Sequence, residues 1–582
     1  MRILKNLKKR DWIFLIISIA LIVGQVWLEL KMPDYSKNLS AAVSSNNINL
    51  GEVWKNGGMM LLCAFVAVVF AIATGILTAI IAADFAKNIR DKMFDKITNF
   101  SNADYDKFKT SSLITRITND VVQIQNFLAI GTQLLFVAPI TAIWALFKIT
   151  SVNISWTMAV LITVLVMIVA IGIMVAVTFP KFKKIQKLTD DLNNKMRENI
   201  SGIRVIRAFN AEEYQSKKFG KTNDEITKNN LFTSRTLGAL MPLMMLALNG
   251  VSIAIYWIGA IIIKDIPNPL EKATELGNMV AFASYGIQIV MAFVMLVAIF
   301  IILPRTMVSV KRTNEVLDAK PSITYGKSDI QTDKKGEIEF RNVSFSYHGE
   351  KTPCLSNLSF KINKGETFAI IGATGSGKST LVNLIARFYD VSNGEILLND
   401  VNIKDYPEKD IQNKVSIATQ RAMLFKGDIK SNIIYGVQNQ VDDNDEKLIN
   451  ALKLAQADFV FELENGIHSE VAQGGTNFSG GQKQRLSIAR ALYKNSEIVI
   501  FDDTFSALDY KTDMLVRKGI NENLKDLTKI IVAQRIGTIK NADQILVLDQ
   551  GEIQGIGTHE TLLETCPIYK EIALSQLKEE EL

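Results

Sequence analysis

The chain has 582 residues, room for roughly three or four domains by length alone. Hydrophobic residues make up 48% and charged residues 21%, and nearly all the long apolar runs lie before residue 305. A net charge of +6 is too weak to point to nucleic acid, and none is expected as a partner. Cys63, Cys354 and Cys566 form no metal or disulfide pattern, which removes redox chemistry. The three histidines are His348, His468 and His559.

Residues 1–10 carry Arg2, Lys5, Lys8, Lys9 and Arg10, and Trp12–Leu28 follows without a charge. A signal peptide would have a shorter apolar core ending in a small-residue cleavage site, which is not seen here. A retained membrane helix is expected at about 12–30. Further uncharged runs place helices at 59–83, 127–147, 154–179, 237–263 and 276–304. Each is long enough to cross a bilayer. Six crossings leave both ends on one side, and the basic N-terminus assigns that side to the cytoplasm. The outer links Glu29–Gly58, Lys148–Asn153 and Lys264–Glu275 are short or modest. The inner segments Asp84–Asn126 and Pro180–Thr236 are long, charged and helical in pattern, so helices are expected to continue well below the membrane. The sequons at Asn38, Asn199 and Asn342 fall on both predicted sides and are read as chance.

Residues 1–320 thus form the expected transmembrane domain. Residues 321–334, with Pro321 and a polar stretch, form a linker, and 335–582 a second domain that alternates strand, turn and helix. In it, Thr367–Ile371 is an apolar strand and Leu381–Arg387 has helical pattern. Between them stands Gly372-Ala-Thr-Gly-Ser-Gly-Lys-Ser-Thr380, which fits G-x-x-x-x-G-K-[S/T]. Such a loop turns backbone N–H groups onto phosphate oxygens at a helix N-terminus. Gly372, Thr374, Gly375, Ser376, Gly377 and Thr380 would form the cradle. Lys378 would reach the β- and γ-phosphates, and Ser379 would ligate Mg²⁺.

Around the loop stands a constellation. Tyr347 ends a strand upstream and could stack on adenine. Gln420 ends the strand Val415–Gln420. Phe478-Ser-Gly-Gly-Gln-Lys-Gln-Arg485 opens a helix. Ile498–Asp503 is an apolar strand ending in two carboxylates, and Ile530–Arg535 another ending in polar residues.

Taken together these motifs resemble those of an ATP-binding cassette (ABC) exporter half-transporter, six membrane helices fused to one α/β nucleotide-binding domain. The Ser-Gly-Gly-Gln stretch at this distance before the Asp502 strand carries the resemblance most specifically. On the membrane side, Thr110–Val121 and Glu198–Phe209 are similar to exporter cytoplasmic helices. The turns at about Ser101–Phe108 and Asn210–Gln215 are similar to coupling helices. The resemblance implies Mg²⁺ and ATP as cofactors. It implies adenine stacking for Tyr347, contact with Mg²⁺ for Gln420 and water-mediated Mg²⁺ binding for Asp502. Ser479, Gly480, Gly481 and Gln482 would contact the γ-phosphate of ATP on the opposite subunit, and Ser506–Asp509 would form the D-loop. Glu470–Gly475 matches its exporter counterpart only in part and is left unassigned.

Two departures bear on mechanism. Asp503 stands where the family has the glutamate that orients or deprotonates water. Its carboxylate is withdrawn by about 1.5 Å, and a 1 Å misplacement can lower a rate about a hundredfold. Gln534 stands where the family has its switch histidine, and glutamine does not titrate near neutral pH. Both together resemble the degenerate-site subunit of a heterodimeric bacterial multidrug exporter. The signature is intact apart from Phe478 in place of leucine, so it would complete the competent site, whose glutamate and histidine come from the partner.

The expected function is ATP-driven export of hydrophobic or amphipathic compounds, drugs or lipids, across the cytoplasmic membrane, with a second half-transporter as partner. An ATP-gated regulator or channel and a homodimeric lipid flippase are the alternatives. Importers usually place their two halves on separate chains, and no peptidase domain precedes Trp12, so neither an importer nor a peptidase-bearing peptide exporter is expected. Met241, Met244, Met245, Phe136, Trp144 and Trp257 would suit varied apolar ligands, but equally pack or face lipid.

Overall fold

The computed structural model describes residues 2–44, 49–150, 154–327, 330, 332–347, 350, 352–437 and 445–577. His348 and parts of the expected 321–334 linker lie outside them. The chain divides into two compact units, Met1–Thr98 with Ser111–Ala319, and Asn99–Thr110 with Lys320–Leu582.

Six helices of the first unit are long and apolar enough to cross a membrane: Lys9–Val43, Leu50–Thr98, Thr110–Thr150, Ile154–Ser201, Glu212–Lys264 and Pro269–Leu317. The third carries two π-helical stretches, Arg116–Asp120 and Phe127–Gly131. The charged inner segments are helical. Ile154–Ser201, with 48 residues, is about 70 Å long. A hydrocarbon core takes up about 30 Å of that, so the remainder carries the polar residues beyond it. A turn at Phe209–Ala211 precedes the helix from Glu212.

The outer link Glu29–Gly58 is more helical than its charges suggest. The first helix runs on to Val43 and the second starts at Leu50. Its one aspartate is held by distant partners. Asp34 accepts from Lys148 Nζ at 2.7 Å and from the Tyr285 hydroxyl at 2.6 Å. The interior of this unit is apolar, with Ile22, Val26, Trp156, Ile255 and Phe282 buried together. Leu61, Phe65 and Leu165 point outward, as lipid-facing side chains do.

The second unit is built on three sheets. An antiparallel sheet runs in the order β2 (Leu355–Ile362), β1 (Ile338–Phe345), β4 (Asn393–Leu398), β5 (Val401–Asn402). The central sheet runs β12 (Glu552–Gly557), β11 (Gln544–Asp549), β3 (Thr367–Ile371), β10 (Thr528–Val532), β9 (Ile498–Asp502), β6 (Val415–Ala418). From β11 to β6 it is parallel. A small pair joins β7 (Gly427–Asp428) and β8 (Glu470–Val471). The central strands read as continuous apolar runs because both faces are covered. Phe368, Ile370, Ile498 and Ile500 enter one core. Ala369, Ile371, Val499 and Phe501 enter the other.

The short helix Asn102–Phe108 also belongs to the second unit. Asp104 accepts from the Ser322 hydroxyl and N–H and closes a capping box with Ser101. Burial pushes its carboxyl up, but the bonds from Ser322 and Ser101 more than offset this and hold it below the ordinary range. Asp106 accepts from the Tyr389 hydroxyl at 2.8 Å.

Arg387 ties the Thr324–Tyr325 segment into this unit. Its buried guanidinium donates to Asp390, to the Ile403 carbonyl and to the Thr324 carbonyl, and lies 4.7 Å from the Tyr325 ring. Arg387→Ala orphans two carbonyls and is expected to destabilise the unit by roughly 3 kcal/mol. Denaturant unfolding of the full chain checks this. A loss below about 0.5 kcal/mol would show that the segment is held by other contacts.

Candidate functional site

Because β3, β6, β9 and β10 are parallel, their carboxyl ends lie side by side, and the segments that leave them carry most of the expected site residues. Val532 pairs with both Ile370 and Asp502, and Ala418 with Phe501. Such an edge is where open α/β sheets bind ligands.

The loop after β3 is compact. A Cβ on Gly372 would lie 2.0 Å from the Leu548 carbonyl oxygen, so only glycine fits beneath β11. Gly377 has φ +103°, and a Cβ there would meet Leu355 at 2.6 Å. The helix Lys378–Ile385 begins directly after it. Lys378 is buried and folds back over the loop, its Nζ donating to the Gly372 and Ala373 carbonyls, both at 2.7 Å. Burial pulls its amine below the usual range, against the opposing charges of Asp503 and Asp502. Ser376 and Thr380 are buried, and Thr374, Gly375 and Ser379 are exposed. Among the described residues, nothing lies within 4 Å of where a Gly375 side chain would begin.

Tyr347 comes to this loop through its hydroxyl, which shares a hydrogen bond with Thr380 Oγ1 at 3.0 Å. Its ring packs edge-on against Phe345 and Tyr389 at 4.9 and 5.3 Å. It is thus a packed tyrosine that also touches the loop.

Asp502 closes β9. Burial first, and then the neighbouring Asp503 charge, pushes its carboxyl above the ordinary range, with Lys378 pulling the other way. Asp503 follows with φ +47°, its N–H on the Val532 carbonyl. Its Oδ2 accepts from two amides, Gln534 Nε2 at 3.0 Å and Gln420 Nε2 at 3.2 Å. The structure therefore joins Gln420, Asp503 and Gln534 in one polar cluster.

Ser479, Gly480, Gly481 and Gln482 lie elsewhere, at the start of the helix Gly480–Tyr493. Ser479 and Gln482 satisfy each other in a capping box, with Ser479 N–H on Gln482 Oε1 at 2.8 Å. Among the described residues, no hydrogen bond connects these four to the phosphate loop of the same chain. Ser479 and Gly480 are exposed.

Sequence reasoning left several supporting residues unassigned. Gln484 is buried within the signature stretch, and its amide donates to the Thr419 carbonyl at 3.0 Å, tying that helix to the residue before Gln420. Thr504 Oγ1 donates to the Ala418 carbonyl at 3.0 Å. Tyr389 and Gln576 also contact the site's elements. Gln484 and Thr504 adjoin motif residues, which is a usable signal. Tyr389 and Gln576 have none, because their roles arise from tertiary packing.

The comparisons agree with this architecture. Residues 355–506 match the family model for ABC transporters, and residues 14–293 match that for the ABC transporter transmembrane region. An uncharacterized ABC transporter ATP-binding protein of Mycobacterium tuberculosis is 36% identical over 89% of this chain and 87% of its own length. A putative multidrug export ATP-binding/permease protein of Bacillus subtilis is 32% identical over 83% of this chain and 82% of its own. An ATP-dependent lipid A-core flippase of Mannheimia succiniciproducens is 30% identical over 88% and 87%. A solved bacterial Atm1-family ABC exporter with ATP bound shares the fold, with a TM-score of 0.80 over 98% of this chain and 99% of that one at 22% identity.

ATP with Mg²⁺ is the ligand of such a cassette, and the residues present suit it. The loop is open at Gly375. A lysine amine lies within it, and a carboxyl raised by burial and by its neighbour's charge stands beside it. The divalent cation would offset phosphate and carboxylate charge together. Lys378→Ala should weaken labelled-ATP binding to this chain about tenfold or more, since a charge-assisted contact is lost. Unchanged binding would remove the loop from consideration as the phosphate site.

Proposed function

The chain belongs to the ABC transporter family, a multi-pass membrane protein whose ATP-binding domain is cytoplasmic, and on that footing we propose that it is one half of a heterodimeric exporter of hydrophobic or amphipathic compounds. Its own phosphate site holds Mg·ATP and hydrolyses it weakly. Its signature completes the partner's competent site.

One observation carries this reading. Asp503 Oδ2 is taken up by the amides of Gln420 and Gln534. Neither amide gains or loses a proton near neutral pH. Asp503 is already one methylene shorter than a glutamate, and here its Oδ2 is engaged by two amides. Positioning a water and taking its proton then lacks reach and falls to the other oxygen alone. Tyr347, the loop from Gly372 to Thr380, Ser379, Gln420 and Asp502 would bind nucleotide and cation without driving turnover.

The signature supports the other half of the proposal. Ser479 at the N-cap of a 14-residue helix is exposed, and a helix N-terminus suits an anion. Facing the γ-phosphate bound by a partner subunit, it would stabilise charge where hydrolysis occurs.

For coupling, the helix Asn102–Phe108 fits the expected role through Asp104 and Asp106. The second expected turn, Asn210–Gln215, lies in the first unit with Tyr214 exposed. Two relatives are named for multidrug export and for flipping lipid A-core. They support the substrate class and leave its members open.

The test is ATPase rate in the assembled dimer. Asp503→Ala should lower it less than threefold, and Ser479→Arg should lower it at least a hundredfold. The chain alone should turn over little ATP. A larger effect from Asp503→Ala, or a full rate from the single chain, would make Asp503 a working base and a homodimeric flippase the better account.

A further inference from the structure

The C-terminal helix Pro567–Gln576 has no place in the nucleotide motifs, yet its last residue reaches them. The helix is anchored by burial of Tyr569 and Ala573, and the Tyr569 hydroxyl bonds His559 Nδ1 at 2.7 Å. From that fixed base the Gln576 amide makes two bonds to one stretch of backbone. Nε2 donates to the Gln534 carbonyl at 2.8 Å, and Oε1 accepts from Ile536 N–H at 2.9 Å.

The geometry is specific. Arg535, between the two contacts, is extended with φ −106° and ψ 126°. A carbonyl and an N–H two residues apart on extended backbone are what a neighbouring strand would pair with. The side-chain amide takes that strand's place. Ile536 also opens the short helix Ile536–Ile539, whose N-cap residue Arg535 offers no side-chain bond. Gln576 satisfies one of the free N–H groups at the start of this helix. On its other side, Gln534 sends its own amide to Asp503.

We infer that Gln576 is a positioning residue: it holds the backbone of Gln534 where the Gln534 amide reaches Asp503, and so sets how firmly this chain's phosphate site retains nucleotide. The C-terminal helix is then part of the site's support. This rests on the reading of the loop as a nucleotide site.

The test uses the assembled transporter and photoreactive ATP labelled at the α-phosphate, bound and then chased with unlabelled ATP. Gln576→Leu removes both bonds and should speed release from this chain about five- to tenfold. Gln576→Glu keeps an acceptor for Ile536 N–H but turns an oxygen onto the Gln534 carbonyl. It should melt close to the native protein yet release label as fast as the Leu variant, a split that a purely structural role would not produce. In a Gln534→Ala background, Gln576→Leu should add less than twofold. Native-like retention in the Glu variant would overturn the inference. So would the full Leu effect persisting without the Gln534 side chain. Lys378→Ala serves as the separate control. Label retained there would refute the nucleotide site itself, not the role of Gln576.

Discussion

The parallel register of four strands is the constraint on which the site depends. Val532 stands level with Asp502 and with Ile370, and Ala418 level with Phe501. One or two residues beyond these partners lie Gln534, Asp503, Gly372 and Gln420. The side chains of Gln420 and Gln534 then reach Asp503 from neighbouring strands. A slip of one residue in β10 would turn every side chain to the opposite face and carry Gln534 away from Asp503. The apolar alternation into two separate cores holds that register. The cores covering the sheet thus place the polar residues at its end. The close fit of Gly372 beneath the Leu548 carbonyl extends the same constraint to β11.

Much of this was legible in the sequence, and for identifiable reasons. Membrane helices announce themselves by length and absence of charge, so the six spans were found, and the helical pattern of Pro180–Thr236 correctly implied extensions beyond the bilayer. The outer end of the first helix was less legible. Asp34 looks like a loop charge until Lys148 and Tyr285, more than a hundred residues away, are seen to pair with it. The site divides in the same way. Loop, carboxylates and signature are local patterns, whereas the shared use of Asp503 Oδ2 by Gln420 and Gln534 is a meeting of three separate segments. Gln576 and Tyr389 carry no local signal, since a single glutamine or tyrosine gains its role only from where the fold puts it.

The two ends of the nucleotide machinery face different tasks. Around Asp503 the polar groups are turned toward one another. At Ser479 and Gly480 they are capped internally and exposed. On the heterodimer proposal, a chain built this way would hold one nucleotide and help to hydrolyse another. Gln534, where the resemblance implies a histidine, supplies a donor to Asp503 but no titrating group. Such a site can still stabilise a closed dimer by binding, because ligand bound to one state alone shifts the equilibrium toward it.

The proposed asymmetry is tested most directly by following which phosphate each site keeps. The dimer is allowed to turn over photoreactive ATP labelled at either the α- or the γ-phosphate, then crosslinked and its two chains separated. If this chain's site holds intact ATP, it retains γ-label in nearly the same proportion as α-label while the partner retains α-label alone. Loss of γ-label from this chain as fast as from its partner would contradict the account.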